Sequence, residues 1–222
     1  MQSKLYTSFS IVYFIVVIDT IICSSIESLK PMYYFTKPAI LTLLIIYFWL
    51  QSKHLERNTK NITLLALVFS LIGDILLMFV DKSPNYFTGG LVAFLLAHLM
   101  YIMVFLRSRN KTAYALPIIV LLFIYASGIF YLLKDGLGEL LIPVLLYLIV
   151  ILTMVVTAFL RKRSNRNSYI LIFAGALFFM ISDSILALNK FYLPLPFSNI
   201  SIMLTYALAQ YLIVLGILKQ HN

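Results

Sequence analysis

Gly73-Asp74-Ile75-Leu76-Leu77-Met78 sets one carboxylate inside a long apolar run, and Ser182-Asp183-Ser184-Ile185-Leu186-Ala187 repeats the pattern 109 residues later. An ionised side chain there costs roughly 2.5 to 3.5 kcal/mol even on the lenient insertion scale. Two such residues in matching contexts point to one shared polar site, and to a chain whose surroundings are lipid rather than water.

Composition agrees. Of 222 residues, 62% are hydrophobic and 11% charged, with a mean hydropathy of +0.99, far outside the range of water-soluble domains. The sequence therefore predicts an integral, multi-pass membrane protein of all-α class. The 17 Phe and 15 Tyr suit rings packed between helices and at lipid interfaces. A net charge of +9 does not imply nucleic acid, because the basic residues lie in short loops between apolar runs and read as topology signals. The single cysteine, Cys23, excludes an internal disulfide and a multi-cysteine metal site, and no cleavable signal pattern follows the first apolar run.

A bilayer core about 30 Å thick takes about 20 helical residues to cross. Eight spans meet that length: 5–25, 33–51, 62–80, 86–106, 113–133, 138–160, 169–189 and 198–218. No linker between them is long enough to separate domains, so residues 1–222 form one transmembrane domain. If the N-terminus is cytoplasmic, the inner side holds Lys4, Lys53, Arg57, Lys60, Arg107, Arg109, Lys111, Arg161, Lys162, Arg163, Arg166 and Lys219, 12 of the 17 basic residues. That split places both termini in the cytoplasm.

The chain also repeats itself weakly. Asp183 follows Asp74 by 109 residues, Gln210 follows His98 by 112 and Pro143 follows Pro38 by 105. These offsets suggest two parallel four-helix repeats, about 1–108 and 109–222, related by an axis along the membrane normal. The two aspartates then lie about twelve to fourteen residues along the third and seventh spans, about 20 Å deep at 1.5 Å per residue.

A lone membrane aspartate serves as readily to lock helices together as to do chemistry; the matched pair favours a site. Beside it stand His98 and Tyr101, which share a helix face at i and i+3. Asn199, Met203, Tyr206 and Gln210 form a stripe along the eighth span. Each stripe alone reads as interhelical hydrogen bonding; with two aspartates they read as the lining of a wet cavity. Lys37 and Lys190 lie near the outer interface, where snorkelling is the plain explanation and a grip on a lipid phosphate the functional one. Tyr147 is a candidate wall residue. Asp19 has no counterpart in the second half and ranks below the other two.

These motifs carry a resemblance. Thr-Lys-Pro at 36–38, Gly-Asp-Ile-Leu-Leu-Met at 73–78, Ala-His-Leu-Met-Tyr at 97–101, Gly-Ala-Leu-Phe-Phe-Met-Ile-Ser-Asp-Ser-Ile-Leu-Ala at 175–187 and Thr-Tyr-Ala-Leu-Ala-Gln at 205–210 resemble the YhhN-like, or lysoplasmalogenase, family of multi-pass membrane proteins. The likeness covers nearly the whole chain in order. It implies hydrolysis of the vinyl ether bond of a lysophospholipid, a lysoplasmalogen, to a fatty aldehyde and glycerophosphoethanolamine or glycerophosphocholine. By position, the family's polar set falls on Lys37, Asp74, His98, Tyr101, Asp183, Tyr206 and Gln210.

Vinyl ethers hydrolyse by slow protonation of the carbon β to oxygen, giving an oxocarbenium ion that water captures. One protonated carboxyl and one ionised carboxylate suit that path, as they suit glycosidases, and neither a metal nor an organic cofactor is needed. Two serines and a lysine on the helix of Asp183 favour it as the anion, with Asp74 as the proton donor. Three other classes compete. A metal-dependent lipid amidase of the alkaline ceramidase kind normally needs several histidines, whereas His54 and His221 lie in a loop and at the terminus; a mixed Asp/His site stays open. A proton-coupled transporter would also use midplane carboxylates and repeated halves. Against it, Pro38, Pro117 and Pro143 all sit in first turns, leaving no broken span. The third is a lipid-binding scaffold without turnover.

Overall fold

In lipid every backbone N–H and C=O must bond within its own segment, and the computed structural model shows that outcome. It describes residues 2–110, 114–162 and 165–220, the side chains of 2–5 excepted; Lys111, Arg163, His221 and the Lys4 side chain lie outside the described residues. Among those described there are eight long helices and no strand: α1 Gln2–Ser25, α2 Lys30–Gln51, α3 Arg57–Leu77, α4 Pro84–Arg107, α5 Leu116–Leu133, α6 Leu141–Phe159, α7 Arg166–Phe191 and α8 Ser198–Leu218. All eight are long and apolar enough to cross a membrane.

Several helices outrun the apolar stretches that mark them. α3 starts at Arg57 and α7 at Arg166, because helical hydrogen bonding continues through polar residues beyond the hydrocarbon. Asp74 and Asp183 therefore each lie 17 residues after the first residue of their helix, about 26 Å along at 1.5 Å per residue. Helix α2 starts earlier than hydropathy predicts, with Pro31 in its first turn, where the missing N–H costs nothing. Pro38 consequently sits inside the helix and not in the first turn. It removes one backbone hydrogen bond there, and α2 nevertheless continues unbroken to Gln51.

The chain divides into two compact units, Met1–Ala97 and His98–Asn222, the division falling within α4. In the first, α2 packs on both α1 and α3, and Phe9 and Tyr47 stack with ring centroids 3.8 Å apart. The buried residues of α3 are Thr59, Thr63, Ala66, Leu67, Ser70, Gly73 and Asp74, a single stripe at helical spacing. Gly73 seats the Phe94 ring, where an added Cβ would lie 2.7 Å from a ring carbon. Asp74, only 3% exposed, closes the stripe one turn from the end of α3.

In the second unit α7 and α8 form the main seam, with α5 and α6 packed on α7. Small residues set its closeness: a Cβ at Gly175 would meet the Ala209 carbonyl oxygen at 2.9 Å, and one at Gly216 the Ile172 amide at 3.0 Å. Only Leu122, Ala126 and Leu133 of α5 are buried, so most of its apolar surface faces outward, as suits lipid contact. The Asn165 side chain caps α7 by accepting from the Ser168 amide, and donates to the Lys219 carbonyl. At the same end the α4–α5 and α6–α7 connections are bonded together: the Asn110 amide donates to the Leu160 carbonyl and the Lys162 amide to that of Ser108, each at 2.7 Å.

Candidate active site

Within the second unit, α4, α6 and α7 bring His98, Tyr147 and Asp183 together. Tyr147 donates its hydroxyl proton to Asp183 Oδ2 at 2.5 Å, in the range of a charge-assisted O–H···O⁻ bond. His98 Nε2 stands 3.7 Å from the same oxygen, too long for a hydrogen bond. The imidazole is fully buried, while 15% of the Asp183 side chain remains exposed. The His98 ring is held edge-on by Tyr147, at a centroid distance of 5.3 Å, and by Phe179 at 4.5 Å.

A second polar cluster lies on the other side of Phe179. Tyr101 donates to Gln210 Oε1 at 2.6 Å, and the Gln210 amide nitrogen donates to the Tyr206 hydroxyl at 3.4 Å. The Phe179 ring touches Tyr206 edge-on at 5.4 Å, so one aromatic ring buttresses both clusters. Asp183 itself opens on a shallow groove between α5, α6 and α7. Ile129, Leu133, Leu148, Met180 and Ala187 make up much of its wall, and Asp183, Tyr147 and Ser184 are its polar groups. A carboxylate on the wall of an otherwise apolar groove suits a ligand with an apolar chain and a reacting or cationic centre.

Of the residues picked out in the sequence, His98, Tyr101, Tyr147, Asp183, Tyr206 and Gln210 fall in this unit, all but Asp183 buried. Lys190 is exposed at the end of α7, and Asn199 is exposed at the start of α8. Asp74 and Lys37 belong to the first unit, where Lys37 Nζ lies 5.6 Å over the Tyr33 ring. Asp19 is exposed on α1.

The profile of the YhhN family matches residues 32–217, which contain every one of these residues except Asp19. The chain belongs to the YhhN family. It is 34% identical to human Lysoplasmalogenase TMEM86A over 163 residues, 71% of this chain and 65% of that protein. It is 33% identical to human Lysoplasmalogenase TMEM86B over 156 residues, 69% of this chain and 62% of that protein. Bovine Lysoplasmalogenase TMEM86A matches at 32% over 162 residues, again 71% of this chain and 65% of the relative. The chain thus aligns with slightly less than two thirds of the length of these curated relatives. No solved structure matches it. Its helices and its relatives make this YhhN protein an integral, multi-pass membrane protein.

The hydroxyl bonded to Asp183 is not that of either flanking serine. Ser182 donates to the Ile202 carbonyl, Ser184 donates to the Met180 carbonyl, and Ser184 accepts from Tyr125 at 2.7 Å. Both serine protons are committed elsewhere, and Tyr147 takes the place given to them. Phe179 and Tyr125 carry no sequence signal beyond helical spacing; Phe179 lies one turn before Asp183, on the same face. Among the described residues no three His, Cys, Asp or Glu side chains gather where they could hold a metal ion.

Proposed function

We propose that this YhhN protein is a membrane hydrolase that cleaves the vinyl ether bond of lysoplasmalogens, releasing a fatty aldehyde and glycerophosphoethanolamine or glycerophosphocholine. The observation that carries the reading is Asp183, whose Oδ2 accepts from Tyr147 and faces His98 on the wall of an apolar groove. The two human relatives are lysoplasmalogenases by name, which supports the same substrate class.

In the proposed reaction a carboxyl group donates a proton to the vinyl carbon β to the ether oxygen. The resulting oxocarbenium ion is stabilised by a carboxylate, and water adds to it to form a hemiacetal. The hemiacetal collapses to aldehyde and glycerol hydroxyl, returning the proton, so no redox partner is required. Asp183 is assigned the anionic role, because the Tyr147 hydroxyl donates to Oδ2. Asp74, buried on the first unit's α3, is assigned the proton-donor role on chemical grounds: the reaction needs an acid as well as an anion. His98 positions water, Tyr101, Tyr206 and Gln210 form a supporting wall, and Lys37 and Lys190 are assigned to the phosphate of the substrate. The proposal includes two parallel four-helix repeats and cytoplasmic termini. The equal 17-residue distance from helix start to aspartate in α3 and α7 and the distribution of Lys and Arg support those two features.

The test is aldehyde release from lysoplasmenylcholine by purified protein, with Asp183→Asn and Asp74→Asn beside the wild type. Each variant is expected to lose about 10²-fold or more of the rate, the usual scale for general acid–base groups. Full activity in both variants would overturn the paired-aspartate mechanism. A wild type inert towards vinyl ethers that accumulates solute in vesicles under a pH gradient would replace the hydrolase with a transporter.

A further inference from the structure

At the opposite end of the second unit from the α5–α6 connection, the helices α4, α6 and α8 end and α7 begins. Arg161 lies at that end and is only 3% exposed, although a basic loop residue of its kind reads from sequence as a solvated topology signal. Its backbone pairs with Arg109 in the bridge between the two connections. Its guanidinium carbon sits 5.6 Å over the Phe105 ring, and Nη2 donates to Gln220 Oε1 at 3.2 Å. Nε and Nη1, both out of solvent, have no hydrogen-bond partner among the described residues.

Burial lowers the Arg161 pKa to about 10, which leaves the group charged at neutral pH. The C-terminal ends of α4, α6 and α8 bring partial negative charge to this end and the start of α7 partial positive charge, and neither occupies Nε or Nη1. Among the described residues of this unit no carboxylate side chain lies at that end: its acidic residues are Asp135, Glu139 and Asp183, the first two on the α5–α6 connection at the far end and the third within α7. Around Arg161 the exposed side chains are cationic instead, Arg107, Arg109, Lys162 and Arg166 among them. A buried guanidinium with unused donors, ringed by cations, has an electrostatic and hydrogen-bonding demand that an anion from outside the unit meets.

We infer that Arg161 anchors a binding site for a phosphate group at the basic end of the second unit, separate from Asp183 and its groove. Gln220, half-exposed on the turn after α8, is the cover that a phosphate oxygen displaces or slips beside. The anion has two sources of the same chemistry, the headgroup of an anionic membrane lipid and a soluble phosphate. Because the site does not involve Asp183, it stands whether or not the chain is a vinyl ether hydrolase.

The full-length protein is placed in nanodiscs of phosphatidylcholine alone, of phosphatidylcholine with phosphatidylglycerol, and of phosphatidylcholine with added glycerol phosphate. Native mass spectrometry reads the phosphatidylglycerol retained, and a thermal ramp reads the midpoint. The wild type is expected to retain phosphatidylglycerol and to unfold at higher temperature with it; an equal rise with glycerol phosphate in zwitterionic discs would identify the soluble source. Arg161→Met is expected to weaken retention about tenfold or more, the scale of a lost charge-assisted hydrogen bond, while Arg109→Gln on the exposed rim stays within about twofold. If the methionine variant does not fold, Arg161→Gln, which can still meet Gln220, decides the question. Wild-type protein indifferent to both anions, or a neutral variant that retains phosphatidylglycerol as the wild type does, would overturn the site.

Discussion

Tyr147→Phe is the sharpest probe of the proposed chemistry. It removes a single oxygen from a buried ring and leaves the apolar volume in place. The lost contact is the hydroxyl donated to Asp183 Oδ2 at 2.5 Å. Hydrogen bonds to charged groups are worth about 1.5 to 3 kcal/mol, and at about 1.4 kcal/mol per tenfold their loss corresponds to a 10- to 150-fold change. If that bond steadies the carboxylate against the cationic transition state, kcat/KM for aldehyde release should fall by that factor, and the thermal midpoint should fall with it because the same bond is lost from the resting fold. The decisive measurement is a double-mutant cycle with Asp183→Asn. Tyr147 acts only through Asp183 in this scheme, so the double variant should be no slower than Asp183→Asn alone, with a coupling energy of about 1.5 to 3 kcal/mol. Additive losses, or a Tyr147→Phe variant as active as wild type, would refute the reasoning and leave Tyr147 as a packing residue.

Three further expectations follow from the second unit. Gly175→Ala drives a Cβ to 2.7 Å from Ile213 and 2.9 Å from the Ala209 carbonyl; it should cost about 1 to 3 kcal/mol of stability by overpacking, read as a lower denaturation midpoint in detergent. Gln210→Leu strands the fully buried Tyr101 hydroxyl and should cost a similar 1 to 3 kcal/mol, read by the same denaturation midpoint. Arg161, lowered by burial to about 10, binds fewer protons folded than unfolded above that value, so its buried charge costs stability below about pH 10 and is relieved above it. Wild type should therefore gain stability relative to Arg161→Met as pH rises from 9 to 11 in zwitterionic discs, measured by chemical denaturation.

The eight spans were legible because lipid imposes a strong rule: about 20 apolar residues in a row have little alternative to a helix. Helix starts were not, because hydropathy marks where hydrocarbon begins and says nothing of where backbone bonding begins. Arg57–Asn61 and Arg166–Ser168 are polar and still helical, and Pro31 rather than Pro38 opens α2. Small-residue seams were equally silent, since Gly175 and Gly216 gain meaning only from the residues facing them.

The polar residues divide along the same line, between what a side chain is and what it faces. Spacing placed Tyr206 and Gln210 on one face of α8, and they are bonded to each other and, through Gln210, to Tyr101. It also put two serines beside Asp183, but a serine in a helix can donate to a backbone carbonyl, and Ser184 does so within its own helix while Ser182 reaches α8. The hydroxyl that does reach Asp183 comes from α6, 36 residues earlier in the chain, a distance at which no local pattern operates. Arg161 is the extreme case. Counted by charge it is one of many basic loop residues, whereas the bonded connections from Ser108–Asn110 and Leu160–Lys162, the Phe105 ring beneath it and Gln220 help to take it out of water. A rule that sums charges by loop treats a buried guanidinium and a solvated one alike, although the first must find an anion and the second need not.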